Sequence, residues 1–483
     1  MMSQTGFDYE SLSRRQFLVA TGGATFGALV FVNFLGAFGM AEESRPGANG
    51  RGAKYVPRIK AAFVRRKGDD GNAVLNEFRE KFKSQVSEPG VKVYLRPEPI
   101  YSIEEAVGWV SQAKAEKADG LLVVVRDRQG HACATTFKAA DNIPTVVFTA
   151  AGPGPTSNAI NVDKISGVHI CPTREFREAA FGLKMLKTGA KLREMRLIVL
   201  SGRERRDEQV QHLGTKLRYL PVKAFVDEYM RTPRTNEVKS IAREYIRKAR
   251  KTSGVSQEDL FSGVKSYIVA CRILEREEAD GIAMDCHGAF LRTEVSLSCI
   301  AWSRLLDHAI PAACEADIGA CLTHALVQYL FDRPGFEHNP VPETARGCLI
   351  GSHCTCPTRL NGFSKPPEPF ELLRQHEDQG AVPRPLWRVG QRVTVAKLDT
   401  AEQLTAKGKP PGTSPRLYVS AGTVVENVSV RPAGNCAVSV MVRLDGERDL
   451  LAYPDFHQLF FYGDYKRELL EYCKLFAIQT VAV

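Results

Sequence analysis

Short, continuously apolar segments alternate with amphipathic segments along much of this sequence, and this pattern limits the possible folds more than any other feature. In the first stretch the apolar segments lie at residues 59–64, 91–95, 120–125 and 144–148, and the helical patterns lie at 72–86 and 103–117. Strands that lack polar alternation are buried on both faces, as in parallel sheets covered by helices. The sequence therefore predicts an α/β domain over residues 57–190.

A second stretch repeats the alternation. Its predicted strands are 196–200, 222–226, 281–284 and 309–313, and its predicted helices are 237–251, 260–278, 295–306 and 318–330. Strands that alternate with helices in this way are typical of a doubly covered sheet. We therefore expect a second Rossmann-like α/β domain over residues 191–345.

The remainder of the chain has short strands separated by Gly/Pro turns. The predicted strands are 348–352, 392–396, 417–428, 437–444 and 459–462, and a closing helix is predicted at 465–476. The proline-rich stretch at 365–384 is predicted to be a long surface excursion. The fold class is therefore α/β, with two Rossmann-like domains followed by a β-rich C-terminal domain over residues 346–483.

The N-terminus has the pattern of a twin-arginine signal. Arg14 and Arg15 precede an uncharged stretch at 17–40, and small residues suited to cleavage lie at 39–41. A charged segment, an apolar segment and a cleavage site in this order predict a signal peptide over residues 1–41, followed by a polar linker at 42–56. The expected partner is the twin-arginine translocation machinery, and the expected location is the periplasm or the outer face of the cytoplasmic membrane. An uncleaved anchor is the alternative, since about 20 apolar residues can span a bilayer.

The distribution of charge and of cysteines argues against two classes of protein, nucleic-acid-binding proteins and disulfide scaffolds. The formal net charge is +10, and basic residues cluster at 51–66, 203–206 and 231–251. No nucleic-acid-binding motif accompanies them, so we interpret them as solvated helix faces and expect no nucleic-acid partner. The 12 cysteines have no regular spacing. Disulfide scaffolds belong to small domains, so we expect most of these cysteines to be buried as small hydrophobes.

Two predicted strands end in polar residues, where ligands bind in α/β sheets. Cys286 and His287 follow the strand at 281–284, and they are expected to line a pocket. Glu315 and Asp317 follow the strand at 309–313. Asp317 is a predicted helix N-cap. Glu315 needs a partner such as a metal, an arginine or a substrate, because an unpaired buried charge is costly.

Further candidate ligands lie in the last third of the chain. A predicted loop contains Glu337 and Asn339, His353 ends a predicted strand, and His457 precedes the last one. Carboxylates with two histidines suit a divalent ion such as Mn²⁺. A zinc site made by His353 with two nearby cysteines, at 354 and 356, is the alternative.

The order of these motifs resembles the L-fucose/L-arabinose isomerase superfamily, and most closely the fucose isomerase-like proteins. The motifs are Cys-Glu-x-Asp after a strand, an acidic aromatic loop, a strand ending in Gly-Ser-His-Cys, and a late His before Tyr-Gly-Asp. The match is strongest over residues 279–353 and does not include the N-terminal signal. The resemblance implies a fucose isomerase-like fold with a barrel-like last domain, a homo-oligomer (a trimer or a hexamer), and a Mn²⁺-dependent aldose–ketose isomerase.

The resemblance also implies roles for individual residues. Glu315 corresponds to the first metal-binding glutamate, His353 to the histidine of Gly-Ser-His, and His457 to the late histidine. The second acid corresponds to Glu337 when aligned on charge and to Asn339 when aligned on the flanking Phe and Pro. Isomerisation moves a proton between C1 and C2 of the sugar through an ene-diol, so Glu315 and Glu337 are the predicted catalytic residues. With Asn339 in that position the site has no second base, and the alternative is a non-catalytic, exported sugar-binding protein.

Overall fold

The structure is a computed structural model, which describes residues 50–68, 71–125, 142–149, 165–286, 295, 298–375, 380–428, 436–446, 449–451 and 456–482. The predicted signal peptide, most of the predicted linker and His287 lie outside the described residues. Within the described ranges, no helix is both long enough and apolar enough to cross a membrane.

The first sheet has five parallel strands in the order β2-β1-β3-β4-β5. They are β1 (Arg58–Val64), β2 (Lys92–Leu95), β3 (Gly120–Val125), β4 (Thr145–Thr149) and β5 (Val168–Pro172). The helices that precede or follow them are α1 (Arg51–Lys54), α2 (Ala73–Gln85), α3 (Ile103–Ala115) and α4 (Phe176–Glu194). All six residues of β3 are buried, as its unbroken apolar sequence predicts. The predicted first α/β unit is therefore present, although β5 and α4 were not among the predicted elements.

The second sheet has the order β11-β10-β6-β8-β7 and is parallel except for β7. Its strands are β6 (Arg196–Leu200), β7 (Arg206–Gln209), β8 (Lys216–Leu220), β10 (Gly281–Met284) and β11 (Ala312–Cys314). Its helices are α5 (Val222–Arg231), α6 (Asn236–Lys248), α7 (Gln257–Arg276), α8 (Cys299–Asp307) and α9 (Ile318–Phe331). The strand predicted at 222–226 is wrong: Phe225 and Tyr229 are buried one helical turn apart in α5, and the true strand, β8, lies directly before it.

The third sheet contains a closed barrel of six strands in the order β16-β19-β12-β13-β18-β17, which closes through pairing of β16 with β17. Its strands are β12 (Phe336–Glu343), β13 (Cys348–His353), β16 (Arg392–Asp399), β17 (Arg416–Asn427), β18 (Val438–Leu444) and β19 (Gln458–Tyr462). A 3₁₀ turn (Thr344–Arg346) joins β12 to β13, while α10 (Ala401–Ala406), α11 (Lys466–Leu475) and β20 (Gln479–Ala482) complete the chain. The fold class of α/β sheets followed by a barrel-like β domain is thus observed, and the predicted domain boundaries stay predictions.

Two segments that were predicted to be irregular contain β-strands. The segment at 365–384, predicted to be a surface excursion, contains the hairpin of β14 (Phe370–Arg374) and β15 (Ala381–Pro385), which pairs with β9 (Lys251–Ser253). Leu372 and Val382 are fully buried there, because the hairpin covers the second core. The predicted loop around Glu337 is strand β12, whose pairing with β19 ends at His338. The two prolines of β12 lie beyond that residue, where the strand pairs with β13 alone among the described strands.

Candidate metal centre

The turn between β11 and α9 places two carboxylates at the carboxyl edge of the second sheet. Glu315 and Ala316 follow the last residue of β11, and both have a positive φ, of 54° and 55°. Side-chain-bearing residues rarely adopt this left-handed conformation, and it is common at functional sites. The turn ends at Asp317, which caps α9 by accepting a hydrogen bond from Ala320 N at 3.0 Å. The predicted N-cap is confirmed.

Three of the predicted ligands converge. Glu315, His353 and His457 each offer a ligand atom, and these atoms lie within 4.8 Å of one another. Nε2 of His353 lies 3.8 Å from Glu315 Oε1, and Nε2 of His457 lies 3.9 Å from Glu315 Oε2. Both rings are buried, whereas 26% of the Glu315 side chain is exposed. The cluster can therefore hold a divalent cation that is open to a ligand on the side of Glu315.

The environment of His457 fits a metal. Its Nδ1 lies 3.2 Å from both Asp317 Oδ2 and Glu337 Oε1. An ionised carboxylate only accepts hydrogen bonds, so Nδ1 carries the ring hydrogen and Nε2 presents a lone pair. That Nε2 is buried, and it has no hydrogen-bond partner among the residues that the structure describes. A buried acceptor without a donor is costly, and a cation between His457 and Glu315 would satisfy it.

His353 is arranged differently. Its Nδ1 lies 3.5 Å from the backbone N of Thr355, and its Nε2 faces Glu315. Burial acts to lower the pKa of His353, but Glu315 and Glu337 outweigh it and raise the pKa to about 9. Binding of a cation to His353 must therefore release a proton, as is general for histidine ligands.

Counting the charges also favours a dication. Three carboxylates lie in or beside the cluster (Glu315, Asp317 and Glu337), and Lys397 is the one lysine in contact with them among the described residues. Lys397 and Asp317 form an ion pair in which the two side chains are 1% and 3% exposed. Burial opposes the charge of Asp317, but Lys397 and His457 hold its pKa well below the ordinary range. The remaining two negative charges match one divalent cation.

Glu337 lies behind His457 and not beside Glu315. It is fully buried, and both carboxylate oxygens accept from the backbone N–H of Cys314, at 3.1 and 3.3 Å. His324, on α9, places its Nε2 3.6 Å from the same carboxylate. Burial acts to raise the pKa of Glu337, but His457, His324 and His353 hold it below the ordinary value. These contacts orient His457, and a role of Glu337 as a direct ligand stays a prediction.

Asn339 lies two residues beyond Glu337 on the same face of β12, opposite Ser352 in β13. It is half-buried, and its role as a ligand also stays a prediction. The alternative zinc site is not formed: within the described ranges Glu315, His353 and His457 are the only group of metal-ligating side chains, and Cys356 is buried in the barrel core. Cys354 instead packs in the second core.

Sequence reasoning missed Lys397, His324 and Gln403, of which the last donates to Asp317 Oδ1 at 2.9 Å. A lysine in the apolar strand β16 is the one signal that could have indicated a buried charge. Most of the cysteines are core residues, as expected: nine of the eleven described cysteines are buried, and all eleven are free.

A scan against models of known protein families finds no match for this chain, and a search of curated proteins finds none either. The geometry of the cluster is therefore the basis for any statement about activity.

Proposed function

We propose that this chain is a divalent-metal-dependent aldose–ketose isomerase with a fucose isomerase-like fold, acting in carbohydrate metabolism, and that Mn²⁺ is its metal. The observation that carries the proposal is the convergence of Glu315, His353 and His457 at the carboxyl edge of an α/β sheet. One carboxylate and two imidazoles suit a borderline divalent ion and leave coordination positions free for a substrate.

A bound divalent cation would polarise the carbonyl and hydroxyl oxygens of a sugar and stabilise the negative charge of an ene-diol. The residues of the chain have separate tasks in this proposal. Glu315 is the partly exposed carboxylate, so it is the group that can reach a substrate proton. Asp317 and Glu337 hold Nδ1 of His457 and thereby aim its Nε2.

A second candidate function is supported by the position of Glu337. Proton transfer between C1 and C2 usually needs a group that removes the proton and one that returns it. Because Glu337 is buried against Cys314 N and His457, Glu315 is the only one of the three carboxylates with more than slight exposure. A protein that binds metal and sugar without converting the sugar would have this arrangement.

Metal analysis and a sugar screen distinguish the two functions. We expect purified full-length protein to bind about one Mn²⁺ per chain, and we expect Glu315→Gln to lose it. Glu426→Gln is the matched control, because Glu426 is an exposed barrel residue paired with Arg346. Aldoses such as L-fucose and L-arabinose are then tested for ketose formation. Conversion supports the isomerase, whereas metal and sugar binding without conversion supports the binding protein. Absence of bound divalent metal in the wild type, with no change in the variant, refutes both.

Export belongs to the same proposal. The motif at Arg14 and Arg15 supports delivery to the periplasm or to the outer face of the cytoplasmic membrane by the twin-arginine machinery. Replacement of both arginines with lysine should retain the protein in the cytoplasm, which cell fractionation measures. Unchanged export of this variant would refute the proposal.

We also propose that the chain assembles as a homo-oligomer, a trimer or a hexamer. Light scattering of the purified full-length protein measures its mass directly. A mass of one chain, 53.4 kDa or that of its cleaved form, would refute this part of the proposal.

A further inference from the structure

One side of helix α6 carries cations that have no acidic partner. Lys239, Arg243 and Arg247 follow one another at intervals of four residues, so they lie on the same side of the helix, and all three are exposed. None of them forms an ion pair with a described residue, whereas Lys248, on another side of α6, pairs with Glu244. We call these three cations the basic stripe. The proposed isomerase chemistry uses none of them.

The acidic residues of α6 lie away from the basic stripe. Glu244 is half-buried, and its Oε2 lies 3.7 Å from Nη1 of Arg304 in α8. Glu237 lies about 160° around the helix axis from Lys239. The basic stripe therefore has a positive charge that no described acid neutralises through an ion pair.

An exposed aliphatic residue lies within the basic stripe. Ile246 is 44% exposed, and together with the three cations it occupies an arc of about 100° on the helix surface. The buried side of α6 packs in the second core through four other residues, which are Val238, Ile241, Ala242 and Tyr245. The packing of α6 within the chain therefore leaves most of the outer surface of Ile246 in water. Cations around an aliphatic side chain suit an anionic membrane surface, where headgroup phosphates lie next to apolar acyl chains.

We propose that the basic stripe of α6 docks the protein onto a membrane surface that contains anionic phospholipids. The three cations bind headgroup phosphates, and Ile246 enters the boundary between the headgroups and the acyl chains. Each cation near an anionic membrane surface strengthens binding about fivefold, so the three together contribute on the order of 100-fold. Export, which is part of the proposed function, would bring the chain to such a surface, and the inference rests on export only for the place of docking in the cell.

The composition of the stripe favours a membrane over a nucleic acid. Proteins that bind single-stranded nucleic acids combine cations with aromatic side chains on which the bases stack. The one aromatic residue of α6, Tyr245, is buried on the other side of the helix. Ile246 would leave water on contact with acyl chains, whereas a phosphate backbone offers it no apolar surface.

The test places a fluorescent reporter in the stripe of the full-length protein. Ile246→Trp introduces an exposed tryptophan into a chain whose three native tryptophans are at most 8% exposed. The protein is mixed with vesicles of brominated phosphatidylcholine, with or without one third of brominated phosphatidylglycerol. Bromine atoms on acyl chains quench only a tryptophan that reaches them, so binding of vesicles through the predicted signal alone leaves this reporter unquenched.

We expect quenching of Ile246→Trp by the anionic vesicles and little quenching by the neutral ones. Salt should weaken the quenching, because it screens the attraction between the stripe and the headgroups. Val389→Trp is the matched control, because Val389 is an exposed aliphatic residue between β15 and β16, and its reporter should stay unquenched.

Two triple variants, each made with Ile246→Trp present, separate the stripe from the net charge of the protein. Replacement of all three stripe cations with glutamine, which is a good helix former, should lower docking about 100-fold and abolish the quenching. The control removes the same charge from three exposed lysines elsewhere and should retain the quenching; it combines Lys67→Gln, Lys365→Gln and Lys409→Gln. Thermal unfolding checks that both triple variants are folded.

Four results would overturn the docking surface. They are no quenching by anionic vesicles, equal quenching by neutral vesicles, equal losses in the two triple variants, and a changed mass of the stripe variant in light scattering, which would assign α6 to an interface between copies. Binding of a single-stranded oligonucleotide that the stripe variant loses, without quenching by vesicles, would assign the stripe to nucleic acid instead.

These outcomes are separate from those of the proposed function. No measurement here uses Mn²⁺ or a sugar, so failure of the docking surface leaves the isomerase proposal in place. If the reporter is quenched but Arg14 and Arg15 prove unnecessary for export, the export proposal fails and the docking surface stands.

Discussion

Replacement of Lys397 with methionine tests the buried ion pair beneath the candidate metal centre. Lys397 Nζ contacts Asp317 Oδ2 where both side chains are almost fully shielded from water. Loss of one partner of such a pair leaves an uncompensated charge in the protein interior, at a typical cost of about 3–5 kcal/mol. Asp317 would keep hydrogen bonds from Ala320 N, Gln403 Nε2 and His457 Nδ1. We therefore expect a loss near the lower limit, about 3 kcal/mol.

Equilibrium urea unfolding at pH 7, without added metal, measures this loss as a fall in the free energy of unfolding. Lys223→Met is the control, because Lys223 forms an exposed ion pair with Asp227 in α5, and it should cost about 0.5 kcal/mol or less. The double variant with Asp317→Asn should lose less than the sum of the two single variants, since both remove the same interaction. A loss below about 1 kcal/mol for Lys397→Met would refute the inference of a buried, charged pair.

Three further predictions concern other parts of the molecule. Burial lowers the pKa of His338 to about 3, so as the pH falls the unfolded chain takes up a proton before the folded chain does. The free energy of unfolding should therefore decrease by up to about 1.4 kcal/mol for each pH unit as the pH falls from about 6 to about 3. His338→Phe should remove this contribution, which unfolding measured at several pH values detects. Asp317→Asn should lower Mn²⁺ affinity about 10–100-fold in calorimetry, and an unchanged affinity would contradict its role in orienting His457. Gly182→Ala should destabilise by about 1–2 kcal/mol in thermal unfolding, because the new Cβ would lie 2.6 Å from Val146 Cγ1, whereas Gly108→Ala in open space should stabilise by up to about 1 kcal/mol.

Much of the α/β part of the fold could be predicted because its signals are local. The strands at 120–125, 196–200 and 281–284 match the observed elements at both ends. An unbroken apolar run between two helices is typical of a parallel strand that helices cover on both faces. The prediction of a strand at 222–226 was wrong because the apolar residues of this segment also fit a helix of period 3.6. Five residues are too few to distinguish that period from the period of 2 that a strand has.

The barrel was less predictable because its pairings are distant in sequence. Strand β12 contains prolines and charged residues, and it is a strand because β13 and β19 supply its hydrogen bonds. The hairpin of β14 and β15 was missed for a similar reason, since its apolar residues are buried in the second core, which is built from distant parts of the chain.

The candidate metal ligands could be predicted from the sequence, whereas most of the residues that contact and orient them could not. Glu315, His353 and His457 were identified from motif order, and the structure brings them together. Their supporting residues, Lys397 and His324, lie in an apolar strand and an apolar helix, where sequence alone gives no sign of a partner. The same limit applies to Glu337, whose charge was recognised but whose position behind His457 depends on the pairing of β12 with β19.

Closure of the barrel has a consequence for how the protein is made. His457 immediately precedes β19, which pairs with β12 on one side and β16 on the other. Glu315 leaves the ribosome 142 residues before His457 does, a delay of about 7–28 s at typical rates of synthesis. During that interval the nascent chain presents Glu315 and, 38 residues later, His353, but it cannot assemble the cluster. All three groups can therefore bind a cation only after the barrel is complete. A chain that holds the metal through all three ligands is a chain whose barrel has folded.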